Sequence, residues 1–396
     1  MRTGRVLEVL AAFTRLGLTS FGGPVAHLGY FRADLVERRG WLDEQTYADL
    51  VALSQFLPGP ASSQVGIAVG YRRAGLLGAL AAWTGFTLPS ALAMALFAFG
   101  VQATGDPGGA AWLQGLKIVA VAVVAHAVWG MATVLTPDRA RLTIAVGAAG
   151  AALLFAGNAT QAAVIVAGGL VGWAFLRGEK AGGPVTGSRA GKTTGAFVLA
   201  AFALLLLALP LLREITGARW AEVLDSFYRS GALVFGGGHV VLPLLQAEVV
   251  GPGWVDAATF TAGYGAAQAV PGPLFSFAAF LGGAMAPAPA GILLAALALI
   301  AVFLPSFLLI IGALPYWDDL RSAPWARSAL RGVNAAVVGI LLAALYDPIW
   351  VAAIRSGADF AVALAAFLAL AFWRAPPWLV VLLTAGLAAL LGGLGA

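Results

Sequence analysis

The sequence predicts an all-α polytopic membrane protein, with two inverted-topology repeats of about six helices joined by a linker helix. We expect broken or re-entrant helices at its PGP and FGG motifs. Three observations support this fold class: the composition, the length of the apolar runs, and a glycine-broken stretch that occurs twice. Of 396 residues, 61% are hydrophobic and only 10% are charged, which is too little polar surface for a soluble globule. The mean hydropathy of +0.91 agrees. Several apolar runs reach the ~20 residues that a helix needs to cross a bilayer.

The duplicated stretch runs from Phe13 to Gly70 and again from Phe227 to Gly283. A shift of 214 positions pairs FTRLGLTSFGGP with FYRSGALVFGGG, and a shift of 213 pairs LSQFLPGPASSQVG with AAQAVPGPLFSFAA. A shared composition bias would produce scattered Ala and Leu matches. The ordered Gly, Pro, Gln and Trp matches therefore indicate a duplication.

The apolar runs predict helices in order along both halves of the chain. They lie near residues 6 to 28, 47 to 70, 75 to 101, 112 to 135, 141 to 156 and 160 to 176, then 226 to 248, 258 to 283, 290 to 314, 328 to 346, 357 to 373 and 377 to 394. One further run, from Ala196 to Leu212, has no counterpart in the repeat. We therefore expect a first repeat over 1–177, a polar linker with a connecting helix over 178–219, and a second repeat over 220–396.

This helix order predicts the relative orientation of the two repeats. An odd number of crossings between equivalent positions places one repeat upside down relative to the other. Lys and Arg are in excess in the segments that lie inside when the N-terminus is cytoplasmic, which favours that orientation. If the glycine-broken segments re-enter the membrane without crossing it, the helix total changes and the inversion remains.

The Pro-Gly-Pro runs predict broken helices in the middle of the membrane, because proline removes a backbone donor and collides with the preceding turn. The helix that restarts after each run has free N–H groups at the positive end of its dipole, which favours an anion. Inverted repeats with broken helices in matching positions are typical of secondary transporters. The predicted substrate-binding residues are Arg15, Gly22, Gly23, Gln55, Pro58, Gly59, Pro60, Ser62, Ser63, Gln64 and Lys117 in the first half, and Arg229, Gly236, Gly237, Gln268, Pro271, Gly272, Pro273 and Ser276 in the second.

Three cations, Arg15, Lys117 and Arg229, lie in segments that are otherwise apolar. An ionisable group inside a membrane is costly and therefore a functional candidate, although Arg15 also suits a side chain that reaches to the interface. Asp and Glu are nearly absent from the predicted helix centres, which favours an anion over a cation or proton pathway.

Other function classes find little support in the sequence. The chain has no cysteine, no Walker lysine loop, and three histidines without metal-ligand spacing. We therefore expect no enzyme activity, no metal, no cofactor and no nucleic-acid partner. The basic loops report membrane topology.

The motifs resemble one family of transporters across nearly the whole chain. SFGGP, LSQFLPGPASSQVGIAVGYRRAGLLGA, FGGGHVVLPLLQAEVV and GYGAAQAVPGPLFSFAAFLG together resemble the long, two-domain form of the chromate ion transporter family. The resemblance implies export of chromate from the cytoplasm across a bacterial inner membrane, by exchange with sulfate or by coupling to protons. The implied partners are a small oxyanion and the lipid bilayer, with a homodimer left open.

Two other transport functions stay open at this point. A sulfate or general oxyanion permease working inward shares the same chemistry, and a passive anion channel would use the same charges. A scaffold or an enzyme does not explain why both halves keep the same broken-helix motif.

Overall fold

The structure is a computed structural model that describes residues 2–103, 111–155, 158–176, 191–235 and 238–394, and these residues are helical apart from turns and loops. Short 3-10 and π turns extend several of the α-helices. The α-helices are α1 (Arg2–Thr19), α2 (Gly23–Phe31), α3 (Glu44–Phe56), α4 (Ala61–Ala103), α5 (Ala111–Leu135), α6 (Arg139–Leu154), α7 (Asn158–Phe175), α8 (Lys192–Thr216), α9 (Arg219–Ala232), α10 (Val241–Val249), α11 (Ala257–Ala267), α12 (Phe277–Ala284), α13 (Ala290–Ala313), α14 (Trp317–Ser322), α15 (Pro324–Ala344), α16 (Val351–Ala353), α17 (Gly357–Ala371) and α18 (Pro377–Leu394).

Several of these helices are long and apolar enough to cross a membrane. Among the described residues they are Ala61–Ala103, Ala111–Leu135, Lys192–Thr216, Ala290–Tyr316 and Pro324–Ala353. Many large apolar side chains are exposed, such as Leu96 and Leu207 at more than two thirds of their surface. The chain is an integral, polytopic, all-helical membrane protein, as the composition predicts.

Four of the apolar runs each form two helices, with a break at a Phe-Gly-Gly or Pro-Gly-Pro motif. The breaks separate α1 from α2, α3 from α4, α9 from α10, and α11 from α12. Gly22, at the first break, has a φ of 95°, which only glycine adopts readily, and prolines flank the breaks after α3 and α11. The apolar runs over 6 to 28 and 226 to 248 therefore each contain a broken helix, as the Phe-Gly-Gly motifs predict.

In the first repeat, one split segment consists of α1 and α2, and the other of α3 and the part of α4 before Ala74. Each segment begins and ends at the same end of the molecule. Phe13 in α1 packs against Phe31 at the end of α2, with ring centroids 5.4 Å apart, so α2 returns alongside α1. The long helix α4 turns back at Ala74 and Gly75, and Gly70 meets the backbone of Gly78 across this kink.

The end of the molecule at which these segments meet is rich in arginine. Arg73, just before the kink in α4, pairs with Glu8 at 2.8 Å and covers the ring of Trp41. A cavity of about 920 Å³ opens here, with Arg5 and Arg72 in its wall. We call this end, defined by Arg5, Arg72 and Arg73, the basic end.

The split segments of the second repeat are α9 with α10 and α11 with α12. They begin and end at the other end of the molecule. Gln102, at the far end of α4, donates from Nε2 to the Gly283 carbonyl in α12 at 2.9 Å. Arg213, at the end of α8, contacts Asp225 in α9 at 3.4 Å. The start of α8 lies near the basic end, where the Tyr316 hydroxyl donates to the Lys192 carbonyl.

The two repeats are interleaved by close helix packing. Helix α15 packs on α6 and α7, where Gly332 meets the backbone of Gly168 and Gly339 meets that of Ala145. Helix α5 packs on α17 and α18, with Gly115 against Ala385. Small residues allow this approach and maximise van der Waals contact, the main attraction between helices in lipid. Each repeat therefore completes its core with helices of the other.

Candidate functional site

The turns that follow α1, α3, α9 and α11 meet inside the protein, and we call them the tips. The Gly59 N–H donates to the Val234 carbonyl at 2.6 Å, and the Gly272 N–H donates to the Ser20 carbonyl at 2.9 Å. Gly59 and Gly272 are repeat counterparts, as are Ser20 and Val234. The same backbone hydrogen bond therefore occurs twice, each time from the Pro-Gly-Pro tip of one repeat to the tip before the glycine pair of the other.

The glycine of each Pro-Gly-Pro run lies against a serine of the other repeat. A Cβ on Gly59 would lie 2.8 Å from Ser306 Oγ, and one on Gly272 would lie 2.9 Å from Ser90 Oγ. The φ angles of Gly59 and Gly272, 125° and 99°, also favour glycine. Sequence reasoning did not select Ser90 and Ser306 as site residues, although the triplet Leu-Pro-Ser that contains each of them occurs in both halves.

Four helices begin at the tips: α2, α4, α10 and α12. Pro24 lies in the first turn of α2, and Gly23 approaches His239 before α10, since a Cβ on Gly23 would lie 3.9 Å from His239 Nε2. Helix N-termini carry partial positive charge and unpaired N–H donors. Four of them converging in one region make it favourable for an anion.

Several of the buried polar atoms without a hydrogen-bond partner lie around the same tips. Buried polar groups are normally paired, so such atoms indicate a bound water or ligand. Within the described residues they include Ser20 Oγ, Ser63 Oγ, Gln64 Oε1, Thr87 Oγ1, Gln268 Nε2 and Ser306 Oγ. Ser62 and Gln64 have partial partners, since Ser62 Oγ lies 3.3 Å from His27 Nδ1 and Gln64 Nε2 donates to the Pro58 carbonyl.

The predicted tip residues fall into this region as far as the structure describes them. Pro58, Pro60, Pro271 and Pro273 flank the two tip glycines, and Ser276 is buried in the 3-10 turn before α12. Gly22 and Gly23 both have positive φ at the start of α2. Gly236 and Gly237 lie outside the described residues.

Lys117 is fully buried on α5, and its Nζ has no hydrogen-bond partner among the described residues. The neighbouring Leu116 carbonyl meets Gly265 on α11, one turn before Gln268. An unpaired ammonium in such a place is costly unless an anion compensates it. Lys117 therefore combines burial, charge and proximity to one helix of the tips.

The other two predicted cations lie elsewhere. Arg15 is exposed on α1. Arg229 pairs with Asp225 at 2.8 Å and with Glu248 at 3.1 Å, so its charge is already balanced. Both carboxylates are buried, which corrects the expectation that acids are nearly absent from helix interiors. The expectation arose because Asp225 lies just before the run predicted over 226 to 248 and Glu248 is its last residue.

The two glutamines of the repeat also differ in exposure. Gln55, on α3, is exposed, whereas Gln268 on α11 is half-buried with a buried Nε2. Because the two are counterparts, this difference reflects their surroundings in the two halves.

Comparison with known proteins agrees with the duplicated organisation. The family described as Chromate transporter matches this chain over residues 7–173 and again over residues 221–390. The chain is 31% identical to a chromate transport protein of Pseudomonas aeruginosa over 351 residues, which cover 86% of this chain and 80% of the relative. It is 28% identical to a chromate transport protein of Cupriavidus metallidurans over 371 residues, or 92% and 86% of the two chains.

A probable chromate transport protein of Synechococcus elongatus is 28% identical over 338 residues, covering 84% of this chain and 82% of the relative. No solved structure matches the chain. The family match extends over most of the chain, in two ranges that each contain one set of tips. The chain therefore belongs to the chromate transporter family.

Proposed function

We propose that this protein is a secondary transporter that exports chromate by binding the oxyanion between the tips of its two repeats. The observation that carries the proposal is the reciprocal meeting of the tips, which brings four helix N-termini to a set of unpaired buried polar atoms. The relatives named as chromate transport proteins supply the substrate. Discontinuous helices whose N-termini point at an anion are the usual substrate site of such transporters.

The chemistry of the tips suits a tetrahedral dianion. Free backbone N–H groups at Ala61 and Ser62 and the hydroxyl groups of Ser63 and Ser276 provide donors. The Gln268 amide adds a further donor, and the Lys117 ammonium supplies charge. We propose that Arg229 stabilises the fold through its two carboxylates and that Arg15 acts at the membrane interface.

We also propose that the repeats, 1–177 and 220–396, have inverted topology, with 178–219 as linker and connecting helix. Support comes from the split helices, which open at the basic end in the first repeat and beside Gln102 in the second. The arginines of the basic end support a cytoplasmic location for this end, and we propose that the membrane is a bacterial inner membrane. Residues 178–190 of the linker lie outside the described residues.

Direction and coupling belong to the same proposal. Export by exchange with sulfate or with proton coupling requires that the site face one side at a time. A sulfate permease would bind the same tetrahedral geometry, and a passive channel would leave the tips apart. The contact of the tips favours a carrier over a channel.

The test is transport of labelled chromate by the purified protein in liposomes, under imposed pH gradients and with excess sulfate on either side. We expect saturable uptake and counterflow.

Changing Ser63 and Gln268 together to Ala should reduce transport at least tenfold, because two donors to the anion are lost. The matched control, Ser356→Ala, removes a serine that caps α17 away from the tips and should leave transport unchanged. Non-saturating conductance would contradict the carrier, and sulfate flux without chromate flux would replace the substrate.

A further inference from the structure

The two repeats differ in the exposure of one helix face. Helices α3 and α11 are counterparts, and each precedes a Pro-Gly-Pro tip. A stripe of three residues at helical spacing is exposed on α3, whereas the same stripe on α11 is buried at its first two positions and half-buried at the third. The exposed residues are Ala48, Ala52 and Gln55, and their counterparts are Thr261, Gly265 and Gln268.

The element that covers α11 is α5. Gly265 meets the Leu116 carbonyl there, an approach that leaves no room for a side chain. Helix α15 is the counterpart of α5, with Asn334 in the place of Lys117 at a shift of 217. Helix α15 makes no comparable contact with α3. The packing that closes one half of the molecule is therefore missing from the other.

The matching residues of α15 differ from those of α5 in the same sense, although the Val333 side chain itself lies against Gly169 on α7. Leu330, Val333 and Asn334 are half-buried, whereas their counterparts Leu113, Leu116 and Lys117 are buried. Gly332 packs on α7, and a residue two positions further is rotated by about 200° around the helix. Asn334 therefore lies on the side of α15 away from α7, where the contact with α3 is missing.

We infer that the gap between α3 and α15 is an open passage from the basic end to the tips, and that the packed pair α5 and α11 is its closed counterpart. The inference rests on the proposed transport function. Similar sequences are held here in two different arrangements, which favours a cycle in which the two halves exchange them. Ala52 carries a Cβ where Gly265 has none, so α15 would pack on α3 less closely than α5 packs on α11. The exchange would close α15 onto α3 and separate α5 from α11.

Each passage contains residues that can bind an anion. In the open passage, Gln55 and Asn334 offer amide donors, and the half-buried Arg327 offers a guanidinium whose Nε has no hydrogen-bond partner among the described residues. In the closed passage, the equivalent places hold Gln268 and Lys117. The Lys117 ammonium is unpaired because its passage is shut. It meets the oxyanion only when α5 and α11 separate.

The test uses single cysteines, for which this cysteine-free chain is well suited. Gln55→Cys and Gln268→Cys are compared in substrate-free vesicles of both orientations with a membrane-impermeant maleimide. We expect Gln55→Cys to react from the face of the basic end at least tenfold faster than Gln268→Cys reacts from either face. Equal rates, or a Gln55→Cys that reacts only with a lipid-soluble reagent, would overturn the inference. If either variant fails to fold, Ala48→Cys against Thr261→Cys makes the same comparison.

A second measurement probes the exchanged state. Ala52 and Val333 are the counterparts of Gly265 and Leu116, which meet in the closed pair. A cleavable cross-link between Ala52→Cys and Val333→Cys should stop chromate transport, and its cleavage should restore transport. Full transport with the cross-link in place would contradict the exchange. Labelling needs no substrate, so it tests the open passage independently of the proposed substrate. If the two cysteines show the expected contrast but the parent protein does not transport chromate, the proposed substrate is wrong and the open passage is still supported.

Discussion

Lys117 is a residue for which stability and function make opposite demands. Its ammonium is fully buried, and none of the described residues provides a hydrogen-bond partner. Holding an uncompensated charge in such a place costs on the order of several kcal/mol. A side chain that served only packing would be apolar, so we propose that a ligand offsets this cost for part of the transport cycle.

We predict that Lys117→Met raises the apparent Tm by a few degrees, since the charge costs several kcal/mol and ~1 kcal/mol corresponds to ~1 °C in a chain of this size. The same change should lower chromate transport at least tenfold, because the anion loses its balancing charge. Thermal unfolding in detergent and uptake into liposomes measure the two effects. Lys192→Met, which removes an exposed lysine paired with Asp319, is the matched control and should leave transport unchanged. A lower Tm together with unchanged transport would show that Lys117 only supports packing.

The tip glycines lead to a second prediction at the residue scale. Gly59→Ala and Gly272→Ala each add a Cβ at a positive φ and against a serine hydroxyl of the other repeat. We expect both variants to lose transport and stability to a similar extent, because the two contacts are reciprocal. The strain alone is worth ~1–2 kcal/mol.

Gly253→Ala separates backbone strain from the serine contact. Its φ is 76°, but nothing lies within 4 Å of an added Cβ. Transport by this control should persist. If Gly253→Ala abolished transport as fully as the tip variants do, the tips would have no special role.

At the scale of elements, repeated caps begin the helices that lead to the tips. Asp43 accepts from the Thr46 N–H before α3, and its counterpart Asp256 accepts from the Thr259 N–H before α11. The bonds from Thr46 hold the pKa of the Asp43 carboxyl below its usual value. A depressed folded-state pKa stabilises the cap above the unfolded pKa of ~3.9, and the effect is lost as the pH falls through the folded value.

We predict that the amide protection of the first turn of α3 decreases as the pH falls from ~5 to ~3. Hydrogen exchange of a peptide covering 43–50, corrected for intrinsic rates, measures this protection. Asp43→Asn keeps an oxygen acceptor without the titration, so its protection should not depend on pH in this range. The same loss of protection in this variant would show that another group titrates.

The helix breaks could be predicted from the sequence, and the path of the chain after them could not. Pro58, Gly59 and Pro60 act locally, so their effect on a helix can be read from neighbouring residues alone. The return of α2 beside α1 depends on Phe31 meeting Phe13, and the meeting of the tips depends on Gly59 reaching Val234. Contacts between residues so far apart in the chain leave no periodic signal. The ion pairs of Arg229 were missed for a different reason, because Asp225 lies just before the run predicted over 226 to 248 and Glu248 is its last residue, so neither acid lay near a predicted helix centre.

At the scale of the whole molecule, the interleaved repeats explain how the site is held together. Helix α15 completes the core of α6 and α7, and α5 completes that of α17 and α18, so neither repeat buries its small-residue faces alone. The tips then meet only if both repeats are present and correctly oriented. Orientation is therefore the property of the molecule on which the proposed mechanism depends most.

Labelling at matched positions in the first turns of α3 and α11 tests that orientation. Gln45 and Ala258 are counterparts in the first turns of α3 and α11, just after the capping residues Asp43 and Asp256. With inverted repeats, an impermeant maleimide should reach Gln45→Cys from the cytoplasmic face and Ala258→Cys from the opposite face. Lys192→Cys marks the orientation of each vesicle, because α8 begins near the basic end. Labelling of Gln45→Cys and Ala258→Cys from one face would mean that the repeats are parallel, and the two passages could then not alternate between the sides of the membrane.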